Sequence, residues 1–186
     1  MTHEIIVGVS GGIAAYKTAA LVSDLVQSDI GVTVVMTRAA TRFVGPATFR
    51  ALTGRQVYTR LFEGNHFPLG PHIELARQAR LLCVAPATAH FIAQTAHGLA
   101  DDLLSTLLLS FTGPVVIAPA MNTEMWEKPA VQRNVQQLRA DGLHLVDPQE
   151  GWLSCRQTGV GRMAEPEDIK SSILQSLQAL EGISRG

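Results

Sequence analysis

The chain has 186 residues, enough for one domain of ordinary size and hardly for a second catalytic one. Apolar residues make up 46% and charged residues 17%, below the usual share of about a quarter, which argues against disorder and for surface buried between subunits. With 15 Lys and Arg against 16 Asp and Glu the net charge is -1, so there is no electrostatic reason to expect nucleic acid or an anionic membrane as a partner.

Glu4-Ile5-Ile6-Val7-Gly8-Val9 is a β-branched apolar run that predicts a strand, and apolar residues then recur at helical spacing over 13–26. Between them, Ser10-Gly11-Gly12 is either a cradle whose backbone N–H groups hold a phosphate or only a tight strand-to-helix turn. The spacing is neither GxGxxG nor GxxxxGK[ST], which leaves a mononucleotide rather than a dinucleotide or nucleoside triphosphate. A second strand covers 32–36 and is followed by Thr37-Arg38-Ala39, and a helical pattern covers 46–53.

His72 precedes a helical pattern at 73–79, where the positive helix end favours a neutral base, with a surface cap as the alternative. A third strand, 80–85, contains Cys83 among leucines and valine, a buried small hydrophobe. It leads into Pro86-Ala87-Thr88. Thr37 and Thr88 either offer hydroxyls to a phosphate or cap helices. The next helical pattern runs over 88–110 and includes Asp101-Asp102; adjacent helical side chains point about 100° apart, so the two carboxyls cannot share a proton and at least one belongs to a helix face or an interface.

A fourth strand, 114–118, ends in Pro119-Ala120-Met121-Asn122, where the Asn122 amide can fix a carboxylate while Met121 and Met125 read as packing. A helical pattern at 129–141 and a weak strand at 143–146 follow. The stretch 147–163 is expected to be a loop, too glycine-rich for helix or strand. Within it Cys155 is either an acid/base thiol on a mobile flap or incidental. The last helix is expected over 169–180 after Pro166-Glu167-Asp168.

Near-continuous apolar strands alternating with helices predict an α/β fold, a single Rossmann-like domain over 1–186 with an open parallel sheet and helices on both faces. The loops after the strands then share the carboxyl edge, where ligands bind. No apolar stretch reaches the roughly 20 residues that span a bilayer, and Met1-Thr2-His3-Glu4 carries no basic signal start, so a cytoplasmic protein is expected. Two cysteines and six histidines without H-x-x-x-H or HExxH spacing give no disulfide framework and no metal site.

Taken together, six segments resemble the flavin-dependent cysteine decarboxylases, in order along nearly the whole chain. They are Ser10-Gly11-Gly12-Ile13-Ala14-Ala15-Tyr16-Lys17, His72-Ile73-Glu74-Leu75-Ala76, Ala85-Pro86-Ala87-Thr88-Ala89, 98–106, the PxMNxxMW element at 119–126, and Cys155 with 159–163. The resemblance implies flavin mononucleotide (FMN) held by Ser10, Gly11, Gly12, Ile13, Thr37, Arg38, Ala39, Thr88, Ala89 and Ala120. It implies His72 as catalytic base, Asn122 as anchor of the substrate carboxylate and Cys155 as proton donor, with Ser154 and Met163 on a substrate flap at about 148–163.

The activity so implied is decarboxylation of 4'-phosphopantothenoylcysteine to 4'-phosphopantetheine in coenzyme A biosynthesis, through a thioaldehyde and an enethiol. A homotrimer or a dodecamer of trimers is implied, without nucleic acid or membrane, and without room for a fused ligase domain. Decarboxylation of a peptide's C-terminal cysteine, or regulation of a partner protein without turnover, are the alternatives. The chain departs from the family at two positions: His90, where Asn is common, and Arg156, where Gly follows the flap cysteine.

Overall fold

The computed structural model describes residues 3–62 and 67–183; residues 1–2, 63–66 and 184–186 of the expected 1–186 domain lie outside the described part. β1 (Glu4–Val9) is the centre of the architecture, paired in parallel with β2 (Gly31–Met36) on one side and β4 (Leu81–Ala87) on the other. With β3 (Val57–Tyr58), β5 (Val115–Pro119) and β6 (His144–Leu145) they form one six-stranded parallel sheet, ordered β3-β2-β1-β4-β5-β6.

Both faces are covered, which is why the strand sequences lack alternation. Ile5, Val7 and Val9 enter one core with α1 (Ala15–Gln27), α2 (Pro46–Thr53) and α8 (Pro166–Ile183), where Leu21, Leu25, Phe49 and Ile173 pack. Ile6 enters the other, with α3 (Pro71–Gln78), α4 (Ala89–Ala96), α5 (Leu103–Ser110) and α7 (Pro129–Ala140), where Leu75, Phe91, Leu104 and Leu138 pack. A Cβ on Gly8 would lie 2.5 Å from Leu104 Cδ1, so this glycine lets α5 close onto the sheet.

Three expectations are corrected. The pattern over 88–110 is two helices, α4 and α5, separated at Gly98, whose φ is 64°. Asp102 is not on a helix face but caps α5: its carboxylate accepts from Ser105 N at 2.8 Å while Ser105 Oγ accepts from Asp102 N at 3.1 Å. The PxMNxxMW element contains a short helix, α6 (Thr123–Trp126).

The expected loop holds an antiparallel hairpin, β7 (Gln149–Trp152) and β8 (Thr158–Arg162). Its glycines do not prevent a strand; they permit close docking. A Cβ on Gly161 would lie 2.3 Å from Met121 O and one on Gly159 2.2 Å from Thr123 Oγ1. β8 therefore lies against the segment that carries Asn122.

Among the described residues no helix is long and apolar enough to cross a membrane. The two thiols differ sharply. Cys83 is fully buried in β4 and burial pushes it up to about 12, whereas Cys155 is exposed. A thiol-reactive chromogenic disulfide at about pH 8, where an ordinary thiol of pKa about 8.5 is partly ionised, is expected to react with Cys155 alone in the native chain. Both cysteines should react after denaturation. Two rapid equivalents from the native protein contradict the burial of Cys83.

Candidate functional site

In an open parallel sheet ligands bind outside the carboxyl ends of the strands where the strand order reverses, here between β1 and β4. Ser10 follows β1 and is buried; its Oγ donates to Pro86 O at 2.7 Å and accepts from Thr88 N at 3.0 Å, tying the two strand ends together. Thr88 caps α4 by accepting from Phe91 N, and Thr37 Oγ1 accepts from Ala40 N at 3.2 Å. Thr88 thus fills the capping role and Thr37 closes a turn, yet both also stand on the wall of a cavity of about 1070 Å³ at this edge.

That wall includes Ser10, Gly11, Thr37, Arg38, Ala39 and Thr88, six of the expected cofactor residues. A Cβ on Gly11 would lie 2.3 Å from Ala39 Cβ, so only glycine lets the β1 and β2 loops meet here. The N–H groups of Gly11, Ile13 and Ala14 before α1, and of Ala89 and His90 in α4, donate to no acceptor among the described residues. Two helix N-termini with free donors, next to Arg38, fit a phosphate monoester. Gly12, Ile13, Ala89 and Ala120 are not on that wall; Ala120 N donates to Ala87 O at 3.0 Å.

Several wall residues were not legible in the sequence. Thr59 and Arg60 follow β3, a two-residue strand without an apolar run, and the buried Gln94 donates from Nε2 to Asp101 on the same wall. His90, one of the two departures from the family pattern, also faces this cavity.

His72, Asn122 and Cys155 are arranged differently. His72 is the second residue of α3, but it does not cap it: the cap position is Gly70, with φ 94° and no side-chain bond. The imidazole Nδ1 is buried without a hydrogen-bond partner, which leaves Nε2 as the nitrogen a substrate can reach. Asn122 caps α6 through Oδ1, which accepts from Met125 N at 3.0 Å, and its NH2 donates to no acceptor among the described residues. The donor end of that amide is therefore available to a carboxylate.

Cys155 and Ser154 are exposed at the tip of the hairpin, closed by Leu153 N donating to Gln157 O at 2.8 Å and Arg156 N donating to Leu153 O at 2.9 Å. Arg156 has φ 64°, a left-handed conformation that costs a non-glycine residue about 1–2 kcal/mol, so the family's glycine at this point has a backbone reason. Met163, expected on the flap, is buried in the core at the hairpin's root. No hydrogen bond joins His72, Asn122 and Cys155 among the described residues, and none of the three is on the cavity wall.

The chain is 50% identical over 167 residues to the coenzyme A biosynthesis bifunctional protein CoaBC of Bacillus subtilis (strain 168), 90% of this chain and 41% of that protein. It is 41% identical over 184 residues to the protein of the same name from Haemophilus influenzae, 97% of this chain and 46% of that protein. The chain thus spans less than half the length of these curated relatives. Among solved structures, a cysteine-to-serine mutant of PPC decarboxylase complexed with pantothenoylaminoethenethiol matches with TM-score 0.85 and 28% identity, over 96% of this chain and 100% of that one. The FMN-dependent cysteine decarboxylase SpaF matches with TM-score 0.80 and 34% identity, over 94% and 97%. The family model described as Flavoprotein matches residues 1–178, a span that takes in the whole sheet, the cradle and the hairpin, and the chain belongs to that family.

Proposed function

We propose that the chain catalyses FMN-dependent decarboxylation of 4'-phosphopantothenoylcysteine to 4'-phosphopantetheine. The observation that carries this reading is the docking of β8 against the Asn122 segment, which sets a thiol-bearing hairpin beside an amide that can donate to a carboxylate, at the edge that also forms the phosphate cradle. The relatives named for coenzyme A biosynthesis and the FMN-dependent decarboxylase structures support it.

The residues divide the work by chemistry. A cysteine carboxylate cannot lose CO2 directly, because the carbanion left at Cα has no electron sink; a thioaldehyde next to Cα provides one. Bound FMN supplies the two-electron oxidation of the substrate CH2-SH and the return of those electrons. Gly11, Ile13, Ala14 and the α4 N-terminus hold its phosphate, with the Ser10, Thr37 and Thr88 hydroxyls around them. His72 Nε2 accepts the substrate thiol proton, and Asn122 NH2 holds the carboxylate until CO2 departs. Cys155 Sγ then donates a proton to the enethiol carbon, with Ser154 beside it on the hairpin and Met163 fixing the hairpin's root.

The same reading places the protein in the cytoplasm as a homotrimer or a dodecamer of trimers. His72 lies off the cavity wall, and Phe62, on that wall, is 93% exposed, as are Leu99 and Leu109 in part. A second copy would cover this surface and complete the site.

The test is CO2 release by FMN-reconstituted protein from phosphopantothenoylcysteine and from a peptide ending in cysteine. Saturable release from the first alone is expected. Preference for the peptide overturns the substrate, and FMN binding without CO2 from either overturns the enzyme reading in favour of a regulatory flavoprotein.

A further inference from the structure

Lys17 is nearly buried in the first turn of α1, where an apolar side chain would pack without desolvating a charge. Its Nζ donates to both carboxylate oxygens of Glu165, at 3.0 and 3.1 Å, and approaches Met163 O at 3.5 Å. Arg162, the last residue of β8, donates to the same carboxylate. Its side chain also crosses β7, since a Cβ on Gly151 would lie 2.9 Å from Arg162 Cδ and 3.0 Å from Nη1. The Glu165 carbonyl accepts from Asp168 N and Ile169 N, so the same residue opens α8. One carboxylate thus joins the helix that leaves the phosphate cradle to both strands of the hairpin at its root.

An ion pair with its lysine nearly buried and its carboxylate partly exposed adds little stability over a well-packed apolar replacement. What it supplies is direction, because the carboxylate accepts from two cations at fixed angles. From Arg162 to the turn, five residues at about 3.3 Å each make a lever of about 17 Å. A rotation of about 5° at the root moves the tip by about 1.5 Å, and a misplacement of about 1 Å costs a reacting group about 100-fold.

We propose that Glu165, held between Lys17 and Arg162, is a positioning residue that sets the reach of the hairpin carrying Cys155. The proposal rests on the role given to Cys155 above, and its test has one arm that does not.

That arm is amide hydrogen exchange over 149–162 in the chain without FMN. Glu165→Gln is expected to speed exchange there about tenfold by opening the root, with β1 and β4 unchanged. The second arm is a single turnover of the FMN-loaded protein. CO2 release should stay within about twofold while saturated product slows by about 10- to 100-fold, and Glu165→Asp should recover part of that loss.

If Glu165→Gln does not fold, Arg162→Gln replaces it, because the Arg162 side chain is half-exposed and the Lys17–Glu165 pair stays intact. Unchanged hairpin exchange overturns the proposal. So does an equal fall in both steps with a lower Tm, which marks a structural role only. If the wild-type protein releases no CO2, the decarboxylase reading fails and the exchange arm still decides the clamp.

Discussion

Replacing Cys155 by serine is expected to leave CO2 release in the first turnover intact and to stop the reaction before the saturated product. A thiol is a far stronger acid than an alcohol and so a far better proton donor to carbon, and losing a positioned acid typically costs about 10²- to 10⁴-fold. Serine differs by one atom at an exposed tip, so the turn closed by Leu153 and Gln157 has no reason to change. Hydrogen exchange over 149–162 should match the wild type. The observable is one equivalent of CO2 per chain, with a product mass two hydrogens below that of the amine thiol. Saturated product at the wild-type rate would mean that the thiol is incidental and that water or another residue protonates the enethiol.

The parts of the fold legible in the sequence are those where burial dictates composition. β1 and β4 are readable because residues such as Ile5 and Ile6, or Leu81 and Leu82, go to opposite cores, which forces a continuous apolar run. Ser10, Thr37 and Thr88 follow such runs and so fall at the ligand edge of a parallel sheet. The hairpin was hidden because Gly159 and Gly161 are there for close approach to Met121 and Thr123, a tertiary reason that no local pattern contains. Met163 is illegible for the converse reason: the motif gives its neighbours in sequence, while its burial is decided by the core it shares with residues of α1 and α8. Lys17 and Glu165 are 148 residues apart, and nothing near either one announces the other.

The His72→Asn variant should fail earlier than the Cys155→Ser variant. The substitution removes a ring whose Nδ1 has no partner, so no hydrogen bond of the fold is lost. The link between α3 and α5 survives, because Ser110 Oγ donates to the His72 backbone carbonyl at 3.3 Å rather than to its ring. Helix α3 is started by Pro71 and Gly70, neither of which is changed. The variant should therefore fold and keep FMN, and CO2 release should fall by about 10²- to 10⁴-fold, since an amide cannot accept the thiol proton. The order of steps gives a sharper readout. With both substitutions present, the protein should behave like His72→Asn alone, forming neither CO2 nor the lighter product, because a block at thiol deprotonation leaves Cys155 nothing to protonate. Wild-type CO2 release by His72→Asn, or the lighter product from the double variant at the Cys155→Ser level, would remove His72 from the chemistry and leave it a packing residue between α3 and α5.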